Sequence, residues 1–252
     1  MKFIPTYEQA VEMTKIIDSP FYESKSIIDG YQISTFNYRL AQWSDFNLPG
    51  AKEMRGISFV FNLDGSLFKR FLLLEKFFNL NQVPDTMYSE VKNNTIKSIS
   101  NKEDGSITSF IKLPNGKILG KSKMSFDNDQ SIGMMRVYKS NKELRKFINW
   151  TLENNIIAVF EYVSIQNRIV LRYTNEELIL IKLRNNQTGE LLDINNFNIT
   201  DIKIANFENY NSLDELIEKA KYVEDKEGWV IEFKNGSMIK LNATGTVKDT
   251  VF

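Results

Sequence analysis

The sequence predicts an α+β fold built on antiparallel sheets with flanking helices. Two observations predict it. Apolar runs of strand length are joined by short Asp-Gly or Asn-Gly turns, and the stretches with helix-capping signals are few and scattered among them. No internal repeat, low-complexity tract or Pro/Gly-rich linker interrupts the chain, and its five prolines are dispersed. Residues 1–252 therefore read as a single domain.

The strands come first. Asp64-Gly65 joins Ile57–Phe61 to Leu67–Leu72, Asn115-Gly116 joins Ile107–Leu113 to Lys117–Lys123, and Asn235-Gly236 joins Trp229–Phe233 to Met238–Leu241. Each is a hairpin signal, because both turn residues tolerate positive φ. Further strands are expected at Thr95–Ser100, Ile156–Val163, Arg168–Tyr173 and Glu177–Leu183.

Three capping boxes mark helix starts: Thr6-x-x-Gln9, Ser140-x-x-Glu143 and Ser212-x-x-Glu215. In each, the two side chains satisfy orphan backbone donors. The second precedes Leu144, Phe147, Ile148 and Leu152, one apolar face at helical spacing.

Composition then removes whole classes of chemistry. Apolar residues are 42% and charged residues 25% of 252, ordinary for a globular chain. Cysteine and histidine are both absent. Disulfides, thiolate metal sites, Ser-His-Asp triads and every imidazole mechanism are excluded. Thirty-two basic residues balance thirty-two acidic ones (Lys+Arg 32, Asp+Glu 32), so there is no bulk attraction to nucleic acid. A local exception is Ile111–Lys146, with nine Lys/Arg against Asp127, Asp129 and Glu143. It reads either as a nucleic-acid patch or as a solvated charged surface. No span approaches the ~20 apolar residues of a membrane helix. Met1–Pro5 runs straight into Glu8 and Glu12, which leaves no room for a signal peptide. The expected compartment is the cytoplasm, and the expected state is a monomer.

The most informative string is Ser100-Asn-Lys-Glu-Asp-Gly-Ser106. It ends a strand and turns at Asp104-Gly105. Lys102 there is placed either as a nucleophile or as one charge on a surface hairpin. To attack, it must be neutral, through desolvation or a nearby cation. Glu161 shares a strand face with Ile157, Val159 and Val163. A carboxylate on such a face needs a partner, unless the strand is an edge facing water. Lys240 shares a face with Met238 and Asn242, and Glu227-Gly228 opens the preceding strand.

Taken in order, Phe36-Asn-Tyr38, Met54-Arg-Gly56, Glu75-Lys-Phe-Phe-Asn-Leu-Asn81, Lys102-Glu-Asp-Gly-Ser106, Lys121-Ser-Lys123, Phe160-Glu-Tyr-Val163 with Asn167-Arg-Ile-Val170, Glu227-Gly228 and Lys240 resemble the bacteriophage RNA ligase 1 family. That family is ATP-dependent and of the tRNA-repair type, within the covalent nucleotidyltransferase superfamily. The resemblance implies a nucleotidyltransferase (adenylyltransferase) domain. Lys102 would attack the α-phosphate of ATP and hold AMP covalently. Lys240 would contact that phosphate as a second catalytic group. Glu161 would hold the ribose and Glu227 a metal, Mg2+ or Mn2+, while Arg55 and Lys76 would bind phosphates. Tyr38, Lys121, Lys123 and Asn242 are further nucleotide-binding candidates. The partner implied is RNA with 5′-phosphate and 3′-hydroxyl ends, tRNA among them, in the cytoplasm of an infected host if the chain is phage-encoded.

Two departures stand out. The family pattern ends in Lys-x-Lys, but the second position here is Asn242. The helical domain that usually follows is expected to be absent. These leave open an adenylyltransferase that does not seal RNA efficiently, and a fold that only binds RNA.

Overall fold

The computed structural model describes residues 2–166, 174–224 and 226–244. The expected strand Arg168–Tyr173 and the block Asn167–Val170 lie outside the described residues. The chain divides into two compact units, residues 1–76 with 105–204 and residues 77–104 with 205–252.

The first unit carries two sheets. Strands β1 (Phe21–Ile28), β2 (Tyr31–Tyr38), β3 (Ile57–Phe61) and β4 (Leu67–Phe71) form an antiparallel meander in that order. Helix α1 (Tyr7–Thr14) covers it. Tyr7 meets Phe36, Phe59 and Phe61 edge-on, with centroids 5.9, 5.6 and 5.0 Å away. Thr6 and Gln9 close the predicted capping box on this helix.

The second unit contributes β5 (Phe78–Asn79), α2 (Tyr88–Val91) and β6 (Ile96–Asn101). The chain then returns to the first unit with β7 (Ser106–Lys112), β8 (Ile118–Ser122), α3 (Asp129–Ser140), α4 (Lys142–Glu153), β9 (Ile156–Gln166), β10 (Thr174–Asn185) and β11 (Leu191–Leu192). Its second sheet runs β11-β10-β9-β7-β8. Ile156 to Phe160 are all buried, and α3 and α4 pack on this sheet.

The second unit is completed by β12 (Phe207–Glu208), α5 (Leu213–Ala220), β13 (Gly228–Phe233) and β14 (Met238–Asn242). Its sheet runs β12-β6-β13-β14-β5, antiparallel except at β14–β5. Trp229, Ile231 and Phe233 recur at period 2 and pack with Ile99, Val91, Leu213 and Leu216 into one core.

The predicted hairpins form, with a different turn. Gly65, Gly116 and Gly236 take positive φ (each 87°), while Asp64, Asn115 and Asn235 do not. Those Asx carboxyl or amide oxygens instead accept the N–H two residues on, at 2.9, 3.1 and 2.9 Å. Gly65 N donates to Asn62 O, Gly116 N to Leu113 O and Gly236 N to Phe233 O. Each loop is therefore a one-glycine turn with a local Asx bond. The true two-residue turn is Asp29-Gly30, where both residues have positive φ (53° and 84°) and Ile28 pairs with Tyr31. Asp104-Gly105 makes no hairpin, since β6 and β7 belong to different sheets.

Two helix starts also differ. Ser140 ends α3, and Asn141 caps α4 by accepting from Leu144 N at 3.0 Å. At α5, Ser212 accepts from Glu215 N, but Glu215 answers Asn211 N rather than the cap residue.

Candidate functional site

In the second unit, strand pairing brings Lys102 and Glu227 together. β6 lies beside β13, with Asn101 opposite Trp229. Just past that pair, Lys102 N donates to Gly228 O at 2.9 Å. This sets the Lys102 ammonium and the Glu227 carboxylate in an ion pair, with side chains 26% and 28% exposed. The charged group that Lys102 touches here is an anion. Gly228 has φ 150°, and a Cβ on it would fall 2.2 Å from Leu241 O. Glycine is needed there because β14 passes too close for a side chain.

Glu227 presents a second feature. Its Oε2 is buried and makes no hydrogen bond. An orphaned carboxylate oxygen is costly unless it has a ligand, and a hard divalent cation fits it. Among the described residues, no three acidic side chains gather to hold a metal alone. That suits magnesium, which keeps waters and substrate oxygens around one or two carboxylates.

Lys240 lies on β14 opposite Val230, and its ammonium sits over the Phe77 ring at 4.7 Å. Its carbonyl accepts from Leu80 N. Phe77–Asn81 and Lys240 are thus neighbours through the parallel β5–β14 pair. Asn242 is exposed, opposite Gly228.

The predicted residues of the first unit form their own cluster around Tyr38. The Lys76 and Lys123 ammonium groups each lie 5.5 Å from the Tyr38 ring centroid, and Tyr38 packs on Phe46 at 4.9 Å. Burial pulls the Arg55 guanidinium below its usual range, opposed by Tyr38 and Glu161. Arg55 Nη1 donates to Leu74 O at 3.3 Å. Burial likewise lowers Lys123, with Arg55 and Lys76 adding to it against Tyr38. Glu161 is on β9, a central strand between β10 and β7, with Ile179 and Ile107 opposite. The water-facing edge is thereby ruled out. Arg55, Lys76 and Lys123 thus gather three cations beside one carboxylate and a phenol, a local excess of positive charge.

Lys121 is buried (1% exposed), and its Nζ donates to Gly56 O at 2.6 Å and to Lys123 O at 3.3 Å. Burial, helped by Lys123, pulls it down to about 7. It holds the backbone at Gly56 and Lys123, next to Arg55.

Some residues that build these sets carried no motif. Arg184, fully buried, forms an ion pair with Glu53 and donates to Leu73 O at 3.1 Å. This fixes the segments before Arg55 and Lys76. Asn37 donates to Lys123 O. In the second unit, Glu208 accepts from Lys226, Trp229 and Tyr210. The basic segment Ile111–Lys146 is not one open patch: Lys121 is buried, while Lys117, Arg136 and Lys146 are ion-paired.

Comparison with known proteins follows these motifs. A family model described as RNA ligase matches residues 53–248. A Thermovibrio ammonificans protein named "Putative RNA ligase" is 29% identical over 156 residues, 62% of this chain and 40% of that protein. Two structures of an archaeal ATP-dependent RNA ligase superpose with TM-scores of 0.63 and 0.62 over 96% of this chain, at 12% and 10% identity. A Naegleria gruberi RNA ligase superposes at 0.51 over 68%, at 14% identity. At these identities the structural likeness speaks for the fold. The chain spans 62% of the archaeal chains.

Proposed function

The chain belongs to the RNA ligase 1 family, and on that premise we propose that it is an ATP-dependent RNA ligase acting through a covalent lysyl-AMP. The observation that carries this reading is the meeting of Lys102 with Glu227-Gly228, 125 residues away in sequence. We infer a single nucleotidyltransferase domain to which both units contribute.

In the first step, the Lys102 amine attacks the α-phosphorus of ATP. The N–P bond forms, the bond to the bridging oxygen breaks, and pyrophosphate leaves with the electron pair. An ammonium has no lone pair, so the ion pair with Glu227 opens and Nζ, on a side chain 26% exposed, releases a proton to water before attack. Arg55, Lys76 and Lys123 hold phosphate oxygens, Glu161 the ribose, and Lys240 the α-phosphate. Lys121 keeps the Arg55 segment in place from beneath. Such transfer depends on positioning and on cations aimed at developing charge. Glu227 would hold a divalent cation, magnesium or manganese, which would supply positive charge against the phosphates. AMP then passes to an RNA 5′-phosphate, and a 3′-hydroxyl displaces it to seal the strand. The compartment proposed is the cytoplasm; no helix among the described residues is long and apolar enough to cross a membrane.

The test is incubation with ATP labelled at the α-phosphate and magnesium, followed by denaturation. Label stays on the wild type and is absent from Lys102→Ala; label retained by that variant refutes the reading. Asn242, exposed and uncharged, favours a second reading, an adenylyltransferase without efficient sealing. Rapid circularisation of a 5′-phosphorylated single-stranded RNA would refute it.

A further inference from the structure

We propose that Glu208, on the edge strand β12, is a positioning residue that clamps the two segments carrying Lys102 and Glu227. The proposal deepens the ligase reading and rests on it for its catalytic consequence.

Glu208 is 21% exposed and is the hub of one network. One carboxylate oxygen accepts from Lys226 Nζ, the residue before Glu227. The other accepts from Trp229 Nε1 at 2.7 Å and Tyr210 OH at 2.8 Å. Glu227-Gly228 is thus gripped on both sides, by Lys226 and by the fully buried Trp229. Lys226 Nζ also donates to Asn101 Oδ1 at 3.3 Å, reaching the residue before Lys102. Backbone bonds complete the clamp. β12 pairs with Ile99 and Ser100, and Asn101 N donates to Asn206 O at 2.9 Å.

The chemical need is plain. Lys102 and Glu227 sit at the ends of β6 and β13, where chain ends fray. Their carboxylate–amine geometry survives only if both ends are held. A charged acceptor serving three donors is the strongest local tie available. None of the Glu208 contacts involves Lys102 or Glu227 directly, so its effect must run through Lys226, Trp229 and Asn101.

The experiment compares wild type with Glu208→Gln, Glu208→Asp and Lys226→Met. Two quantities are read: single-turnover formation of lysyl-AMP across ATP concentrations, and amide hydrogen exchange by NMR. Glu208→Gln is expected to slow lysyl-AMP formation at saturating ATP at least tenfold, with half-saturating ATP changed less than twofold. Glu208→Asp restores part of the rate. Exchange at the Asn101 and Lys102 amides accelerates at least tenfold, while Ile99 and Ile231 stay protected. Lys226→Met, at a half-exposed position, gives the same pattern more weakly and stands in if Glu208→Gln does not fold. Unchanged exchange at Asn101 and Lys102 overturns the proposal whatever the activity. So does faster exchange with an unchanged rate in an active enzyme. Should the wild type form no lysyl-AMP, the ligase reading fails, and exchange alone decides whether Glu208 is the clamp.

Discussion

Lys102 and Glu227 are ion-paired although 125 residues separate them in the chain. The contact follows from adjacent antiparallel strands and from the glycine that lets β14 pass behind Glu227. It joins the proposed nucleophile to the carboxylate whose other oxygen is buried without a hydrogen bond. Glu227→Gln removes the charge pairing and replaces one of the two carboxylate oxygens with an amide nitrogen. Lysyl-AMP formation is expected to fall about 10²–10³-fold, the usual loss for one transition-state group. Single-turnover labelling checks this, with an unchanged circular dichroism spectrum as the control.

Lys121 titrates near 7 when folded, chiefly through burial, against an ordinary value of 10.5. Between those values the unfolded chain binds the extra proton, so stability rises as pH increases from about 7 to 10.5. Urea denaturation at a series of pH values should show that rise in the wild type. Lys121→Met should flatten it. An equal slope in the variant contradicts the assignment.

The Glu53–Arg184 pair is buried on both sides. Glu53→Ala leaves a guanidinium without its counter-charge, at an expected cost of about 3–5 kcal/mol. Removing both partners together, as Glu53→Met with Arg184→Met, should cost less than Glu53→Ala alone. Denaturant midpoints for the set decide.

Much of the fold was readable, and the misreadings share one cause. The sequence shows that Asp64-Gly65, Asn115-Gly116 and Asn235-Gly236 turn. It does not show whether the Asx residue takes positive φ or bonds the backbone ahead, because both satisfy the loop. Asp29-Gly30, between Ile28 and Tyr31, carries the same signal. Asn141 outcompeted Ser140 as a cap because α3 runs through Ser140. The family model matches from residue 53 onward, and every candidate from Arg55 to Asn242 lies within it. What the motifs could not reveal is support that depends on long-range contact. Arg184, directly after the apolar run Leu178–Leu183, poses the same question as Glu161: what pairs with a charge on such a strand. For Arg184 the answer, Glu53, is 131 residues away. Glu208 had no local signal; the indole of Trp229, needing an acceptor once buried, was the only hint.

Glu208 also contributes to stability in acid. Burial raises its carboxyl, but hydrogen bonds from Lys226, Trp229 and Tyr210 outweigh this and hold it near about 2, against an ordinary 4.5. A lowered folded value means stability that is complete above 4.5 and lost as pH falls toward 2. After solvent screening the share is on the order of 1–2 kcal/mol. Glu208→Gln should remove that part of the acid dependence in thermal melts recorded from pH 6 downward.

In the proposed mechanism one amine, Lys102 Nζ, carries the nucleotide. Intact-mass spectrometry after incubation with ATP and magnesium should show a gain of a single adenylyl group, and peptide mapping should place it on Lys102. A mass unchanged under these conditions, or an adenylyl group on any other residue, contradicts the account.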